Sequence, residues 1–353
     1  MKSALRKQEM HVRQNHRHRH KRLSRTAIAA VLVCAALLYA GLLLGVQTIG
    51  NRLEQRDAVE SIGSLEGRFT SEALTMQYGG RTWTYREREL TNLLLIGVDW
   101  AEMNSPASSG RYAGQADFLL LMTFDKKNKI VSMLQIDRDT MTDVRVYGPF
   151  GNYTGIRETQ ICLSHAYGAT AEENCENTVW AVSRLLGGIP IDGYIALDMS
   201  GITALNDALG GVTVTLEEDF SALDPEMTKG ATLTLHGMQA ETFVRSRMDV
   251  GDGTNASRMQ RQRTFIQSAE ELLVQRMNED MNYVGTLYDA LDGHTTTNIE
   301  RGWLINKAYE CRDYRRPETK MLAGSHCIGT DGFMEFHADE DALNALLTEM
   351  CFE

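Results

Sequence analysis

Three unbroken apolar runs of strand length lie in the first half of the chain: NLLLIGV at 92–98, DFLLLMTF at 117–124 and KIVSMLQI at 129–136. The turn DKKN separates the last two. Continuous rather than alternating apolarity marks strands covered on both faces. ETQICLSHAYG and NCENTVWAVSRLLGG then carry helical spacing, the second closing on a glycine pair as helices commonly do. IDGYIALDM reads as a strand, GITALNDALG as a helix and GVTVTL as a strand again. Helices are predicted at 238–247, from an N-cap at Ser257 to 277, and at about 281–291 and 298–311. TKMLAG and GFMEFHA read as closing strands and DEDALNALLTEM as a last helix. Strands mixed with helices over some 260 residues predict one α/β domain in three layers, α/β/α, with a central mixed sheet. Ahead of it, residues 51–90 are polar and turn-rich and read as a stalk, with a short hairpin where GGR interrupts TMQY and TWTYRE.

The longest apolar run, AIAAVLVCAALLYAGLLLGV at 27–46, has twenty residues and no charge. At 1.5 Å per residue it matches a hydrocarbon core of about 30 Å, so one uncleaved transmembrane helix is expected. Residues 1–26 hold nine Lys and Arg against one acid, a charge of +8, and the remainder of the chain carries −19. The positive-inside rule makes 1–26 a cytoplasmic basic tail and places residues 51–353 outside the cell membrane, with the main domain over 91–353. The acidic main domain argues against a nucleic-acid binder, which needs a basic surface. Cys162, Cys175, Cys311, Cys327 and Cys351 all fall beyond the apolar span and none has CxxC spacing, so disulfides are expected there, Cys162 with Cys175 and Cys311 with Cys327.

No dinucleotide fingerprint, phosphate-binding lysine loop, HExxH or GxSxG is present. What remains is a set of acids and arginines at strand ends and helix starts. Asp99 follows one apolar strand and Asp117 opens the next, at the sheet edge where α/β proteins bind ligands. Two such carboxylates could hold one Mg²⁺, a hard ion taking oxygen ligands, although an isolated aspartate there is more often a turn or cap residue. IDRDT at 136–140 adds Arg138 and Asp139 at a strand exit, where the default reading is a surface ion pair. FVRSR then places Arg245 and Arg247 near one helix end, and NASRMQRQR opens the next helix with Arg258, Arg261, Gln262 and Arg263. Arg258 and Gln262 are four apart and share a face. Arginines at a helix N-terminus, where free N–H groups already favour an anion, suit recognition of phosphate.

With these motifs in order, the chain resembles the LytR-CpsA-Psr family of cell-envelope phosphotransferases. The elements that match are NLLLIGVD, GQADFLLLMTFDKKNKIVSMLQIDRDT, HAYG, ENTVWAVSRLLGGIPIDGYIALDMSGITALNDALGGVTV, LHGMQAETFVRSR and GDGTNASRMQRQRTFI, over roughly residues 92–277. The resemblance implies an extracytoplasmic, membrane-anchored transferase. Such an enzyme moves a glycopolymer phosphate, such as teichoic acid or capsule, from a polyprenyl-pyrophosphate carrier to peptidoglycan with Mg²⁺. It implies metal-associated roles for Asp99 and Asp117, and pyrophosphate binding by Arg138, Arg245, Arg247, Arg258 and Gln262. Arg138 and Asp139 stand as the catalytic candidates, Asp139 to orient an arginine or to take the acceptor's proton. Gln115, Asp137 and TQICLSHAY depart from the family pattern, which bears on glycan and acceptor preference. An apolar tunnel for the polyprenyl tail is expected between the sheet and the helices at 176–187 and 200–209. A non-catalytic lipid- or glycan-binding scaffold and a lipid pyrophosphatase are the alternative readings of the same residues.

Overall fold

The computed structural model describes residues 74–99, 114–148, 152–248 and 250–353. The expected tail, the apolar span 27–46 and most of the stalk lie outside the described residues. Among the described residues no helix is long and apolar enough to cross a membrane.

The chain begins with the hairpin β1 (Thr75–Tyr78) and β2 (Arg81–Thr84), turned by Gly79 and Gly80 at φ 60° and 72°. Positive φ at both central residues is the geometry that suits a tight hairpin and that glycine adopts without strain. Then come β3 (Leu90–Val98), β4 (Ala116–Asp125), β5 (Ile130–Ile136), β6 (Met141–Tyr147) and β7 (Tyr153–Gln160). A 3₁₀ turn at Ile161–Ala166 leads into α1 (Ala171–Leu185), β8 (Gly193–Leu197), α2 (Met199–Leu209), β9 (Thr213–Thr215) and β10 (Thr232–Thr234). The helices α3 (Met238–Arg245), α4 (Asn255–Glu279) and α5 (Tyr283–Ala290), the strand β11 (Thr295–Thr297) and α6 (Arg301–Cys311) follow. The chain closes with β12 (Lys320–Met321), β13 (Gly324–Ile328), β14 (Met334–Ala338) and α7 (Glu340–Cys351).

Six strands form a mixed sheet in the order β11-β8-β3-β4-β5-β12. The apolar runs β3, β4 and β5 are its antiparallel centre, while β8 lies parallel to β3 and β12 parallel to β5. One face, including Leu94, Ile96, Leu119, Leu121 and Leu134, packs against Ala181 and Val182 of α1 and Leu343 and Leu347 of α7. On the other face Leu93, Phe124 and Val131 pack with Cys311 and Tyr314 at the end of α6. A separate cluster joins α2, α3, α4 and the β9–β10 ribbon around Phe220 and Phe243.

Several elements differ from expectation for identifiable reasons. MTDVRVY and YTGIRETQ pair as the β6–β7 ribbon. The sequence hides it because the ribbon stands apart from the main sheet and few of its positions are fully buried. ETQICLSHAYG is accordingly a strand end plus a 3₁₀ turn and not a helix. The N-cap of α4 is Thr254, whose hydroxyl accepts from the Ser257 amide, so Ser257 itself is inside the helix. GVTVTL forms β9, which pairs with β10 outside the main sheet.

The expected disulfides are absent: all five described cysteines are free. Cys162 Sγ lies 3.4 Å from Arg138, whereas Cys175 Sγ lies 3.7 Å from His165 Nε2, so the two thiols have separate partners. Burial pushes their pKa values up to about 11 and about 12, keeping both neutral at physiological pH. Cys311 is buried in the sheet's second face and Cys327 is exposed on β13.

At the far end of the sheet a buried charge pair fastens three parts of the chain together. Arg86, which follows β2, donates to Asp125 at 2.5 Å and to the Met350 carbonyl of α7 at 2.8 Å, with both partner side chains 8% exposed. Asp125 also accepts twice from Asn128 at 2.8 Å, closing the DKKN turn. Burial raises the Asp125 pKa, but the bonds from Asn128 and Arg86 outweigh it and hold the carboxyl below its usual range. The folded state therefore gains stability above the unfolded carboxylate pKa and loses it as pH falls through the depressed folded value. Asp125→Asn is expected to cost about 3 kcal/mol by leaving Arg86 buried without its counter-charge. Chemical denaturation would measure the loss, and the gap to the native protein should narrow below pH 4 or so.

Candidate functional site

The predicted residues converge where β3 ends and β4 begins. The pairing of these strands shifts register between Gly97 and Val98. Beyond that irregularity the amides of Asp99 and Asp117 both donate to the Gln115 carbonyl, at 2.9 and 3.0 Å. One carbonyl thus fixes the roots of both aspartates. A Cβ on Gly97 would fall 2.9 Å from Phe118 Cβ, so glycine permits the close approach of the two strands there.

Asp117 is the hub. Arg138, carried by the turn after β5, donates Nη1 to Asp117 Oδ1 and Nη2 to Gln115 Oε1 and to the Cys162 sulfur. Arg258, from the first turn of α4, donates to the other Asp117 oxygen at 3.2 Å and to Asn255 Oδ1 at 2.6 Å. Arg138 was expected to be exposed at the strand exit, yet its side chain is only 19% exposed because Asp117, Gln115 and Cys162 enclose it. Arg258 is more buried, at 8%, and its Nε has no hydrogen-bond partner. Burial lowers the Arg258 pKa; Asp117 opposes this, while Arg138 and Arg247 push the same way. Cationic neighbours are therefore crowded around Arg258, a condition that favours an anion there, whereas Arg138 has Asp139 as a second carboxylate and its pKa is raised.

The remaining predicted residues sit around this hub with differing roles. Arg245, half exposed at the end of α3, reaches Asp99 at 3.3 Å and Glu241 at 3.1 Å. Arg247 is exposed and close enough to influence Arg258. Gln262 is buried, accepts from Gln135 at 3.1 Å and donates to the Val244 carbonyl at 3.4 Å. Arg261 and Arg263 of the same cluster point elsewhere. Arg261 donates to the Phe243 carbonyl at 2.8 Å and to that of Ser246, capping α3, and pairs with Glu218 at 3.1 Å. Arg263 donates to Gln135 at 2.8 Å.

Asp139 lies 3.4 Å from Arg138 Nε. Burial, then the neighbouring Asp137, raises its pKa, with Arg138 and Arg258 opposing. Asp137 is itself buried and accepts from Asn255 at 2.9 Å and from the Asp139 amide at 2.9 Å, and its second oxygen lies 3.0 Å from His326 Nε2. Sequence reasoning assigned no site role to Asn255, His326 or Gln135. Asn255 could have been found as an amide at a helix start among arginines. His326 lies 189 positions from its partner and carries no local signal.

Behind the charged groups a cavity of about 210 Å³ opens between β3, β4 and β8 on one side and α2, α3 and α4 on the other. Its charged lining is Asp117, Arg245 and Arg258, and most of the rest is apolar, including Leu95, Ile195, Leu205 and Phe265. The expectation of an apolar space beside the helix at 200–209 agrees with this. The helix at 176–187 does not line it, because α1 packs on the opposite face of the sheet.

The fold is thus a mixed α/β sheet whose strand ends hold an arginine-bound carboxylate above an apolar cavity. Residues 53–351 match the LytR_cpsA_psr family, and the chain belongs to it. Among its relatives, "Polyisoprenyl-teichoic acid–peptidoglycan teichoic acid transferase TagU" of Halalkalibacterium halodurans is 29% identical over 209 residues. That alignment spans 59% of this chain and 61% of the relative. The protein of the same name from Bacillus mycoides is 29% identical over 265 residues, 75% of this chain and 79% of the relative. The crystal structure of protein gbs0355 from Streptococcus agalactiae superposes with a TM-score of 0.61 at 23% identity. It covers 75% of this chain and 87% of that one, a likeness of fold.

The raised pKa of Asp139 has a direct test. A carboxyl that titrates above its unfolded value stabilises the fold below the unfolded pKa and loses that contribution as pH rises through the folded one. Asp139→Asn is therefore expected to leave the fold as stable as the native protein, or more so, at pH 7. The difference should shrink as pH falls through the carboxylate range. Thermal unfolding of both proteins across that range checks the sign.

Proposed function

We propose that this chain is a membrane-anchored envelope transferase that moves a glycopolymer phosphate from a polyprenyl-pyrophosphate carrier to peptidoglycan, with its catalytic domain outside the cell. The observation that carries this reading is the union of the arginine-crowded Asp117 hub with the apolar cavity behind it. A carrier of that kind has an anionic head and an apolar tail. The names of the TagU relatives, which specify transfer of teichoic acid to peptidoglycan, support the same substrate class.

In this mechanism Arg258 and Arg138 turn from Asp117 toward the pyrophosphate oxygens, with Arg245, Arg247 and Gln262 around them. Arg258 Nε, which has no hydrogen-bond partner within the protein, gains an acceptor there. An acceptor hydroxyl attacks the glycan-linked phosphorus as the bond to the bridging oxygen breaks, and polyprenyl phosphate leaves. Negative charge builds on that bridging oxygen, where the guanidiniums, once turned to the pyrophosphate, stabilise it. Asp139, raised toward neutrality yet beside Arg138, takes the hydroxyl proton. The all-oxygen donor pair Asp99 and Asp117, rooted on one carbonyl, fits a hard cation, and these residues would hold Mg²⁺. When bound, that ion neutralises phosphate charge.

The test incubates the protein with a polyprenyl-pyrophosphate glycan, Mg²⁺ and peptidoglycan. Transfer is expected. Release of free glycan phosphate without an acceptor would indicate a pyrophosphatase, and binding without turnover a scaffold. Arg138→Ala and Arg258→Ala should each lower transfer by roughly 100-fold or more, the scale seen when a transition-state donor is removed. Asp99→Asn should raise the Mg²⁺ concentration needed for half-maximal rate, and undiminished transfer in EDTA would remove the metal from the scheme.

A further inference from the structure

The β13–β14 ribbon carries a second cluster of reactive side chains, separate from the anion site. Its register sets Cys327 opposite Glu335 and Ser325 opposite His337. Alternation then puts Cys327, Glu335 and His337 on one face and His326 and Phe336 on the other. The inner face touches the site: the His326 and Phe336 rings lie 4.8 Å apart, His326 meets Asp137, and the Phe336 amide donates to the Asp139 carbonyl at 2.8 Å. On the outer face Glu335 Oε2 lies 2.9 Å from His337 Nε2 and 3.9 Å from Cys327 Sγ. All three ligand atoms fall within 4.8 Å of one another, and no other such trio occurs among the described residues.

We propose that Cys327, Glu335 and His337 form a binding site for a zinc-class divalent cation. A tetrahedral zinc ion holds its ligand atoms roughly 3.3–3.7 Å apart, between the two spacings seen here. Thiolate, imidazole and carboxylate together suit this borderline ion and not Mg²⁺, which takes oxygen ligands alone. The surroundings leave room for it. A Cβ on Gly329 would lie 2.1 Å from Glu335 Oε1, so glycine at that turn keeps the space the carboxylate occupies. Cys327 and His337 are exposed and Glu335 is half-buried, so an ion and a water as fourth ligand can reach the trio from solvent. Binding displaces the Cys327 thiol proton to solvent and forms the metal–sulfur bond. The bound ion ties β13 to β14 and so holds in place the opposite face, where His326 reaches Asp137.

The experiment uses the full chain, stripped with a chelator and kept reduced. It is titrated with Zn²⁺ against a competing indicator and, separately, with Co²⁺ to read thiolate-to-metal charge-transfer absorption. The N-terminal histidines His16, His18 and His20 can also take metal, but no thiol lies among them, so the sulfur band distinguishes the two places. One Zn²⁺ per chain is expected to bind at the ribbon and to raise the midpoint of thermal unfolding. Its affinity should fall by about 10-fold or more in C327S and in H337A, and the Co²⁺ sulfur band should vanish in C327S. The three side chains lie on the outer face of the ribbon, so the metal-free variants should unfold at the native temperature, which separates ligand loss from misfolding. Absence of the sulfur band in the native protein, its persistence in C327S, or unchanged Zn²⁺ affinity in both variants would overturn the proposal.

Discussion

The single Asp117 carboxylate holds the rest of the site in register. Two guanidiniums reach it from unconnected parts of the chain, Arg138 from the exit of β5 and Arg258 from the first turn of α4. Both are largely buried, and a buried charge is tolerated only beside an opposite one. Losing Asp117 would therefore leave Arg258 without its carboxylate partner and Arg138 with Asp139 alone. One carboxylate cannot satisfy two guanidiniums fully, and the bare Arg258 Nε is the visible residue of that shortfall. On the proposed function, the same imbalance that costs the folded protein something would give a polyanion its advantage over water.

The position of Asp117 is in turn a property of the sheet. It sits at the start of β4, beside the register shift at Gly97 and Val98, on a carbonyl it shares with Asp99. The strands that fix it are the most apolar in the chain, and Leu94, Leu119 and Leu121 are fully buried at their centre. Each such side chain contributes on the order of 1.5–3 kcal/mol. The hub's geometry is thus set by packing that has nothing to do with charge. On the helical side, Arg261 does comparable work by capping α3 and so fixing where Arg245 and Arg247 emerge.

What could be read from the sequence follows the physical range of each signal. Nearly continuous apolar runs identified β3, β4 and β5, because strands buried on both faces admit few polar positions, and those present, such as Asn92, Thr123 and Gln135, are buried and hydrogen-bonded. The arginines and aspartates were legible because they lie at the ends of those runs. The β6–β7 ribbon was not, since a two-stranded ribbon outside the sheet alternates weakly and its period resembles a loop's. The placement of α1 failed for another reason: an amphipathic pattern says that a helix has an apolar face but not which side of the sheet receives it. The cysteines failed likewise. Their place beyond the apolar span suggested that Cys162 and Cys175 would pair, yet one faces Arg138 and the other His165.

His326 and Asp137 show how these levels join. The arginines and aspartates of the hub come from short motifs near strand ends, whereas the wall beside them is built by a ribbon almost two hundred residues later. Asp137 is where the two meet. It accepts from Asn255, from the Asp139 amide and from His326, so its carboxylate fixes the turn that carries both Arg138 and Asp139. It also raises the Asp139 pKa by its own charge, second only to burial. Asp137 thus touches Asp139 and the distal ribbon together, and through Asn255, which also accepts from Arg258, it reaches the Asp117 hub. The Asp137 and Asp117 carboxylates are thus joined through Asn255 and through the turn that carries Arg138, so a change at either one reaches the whole arginine cluster.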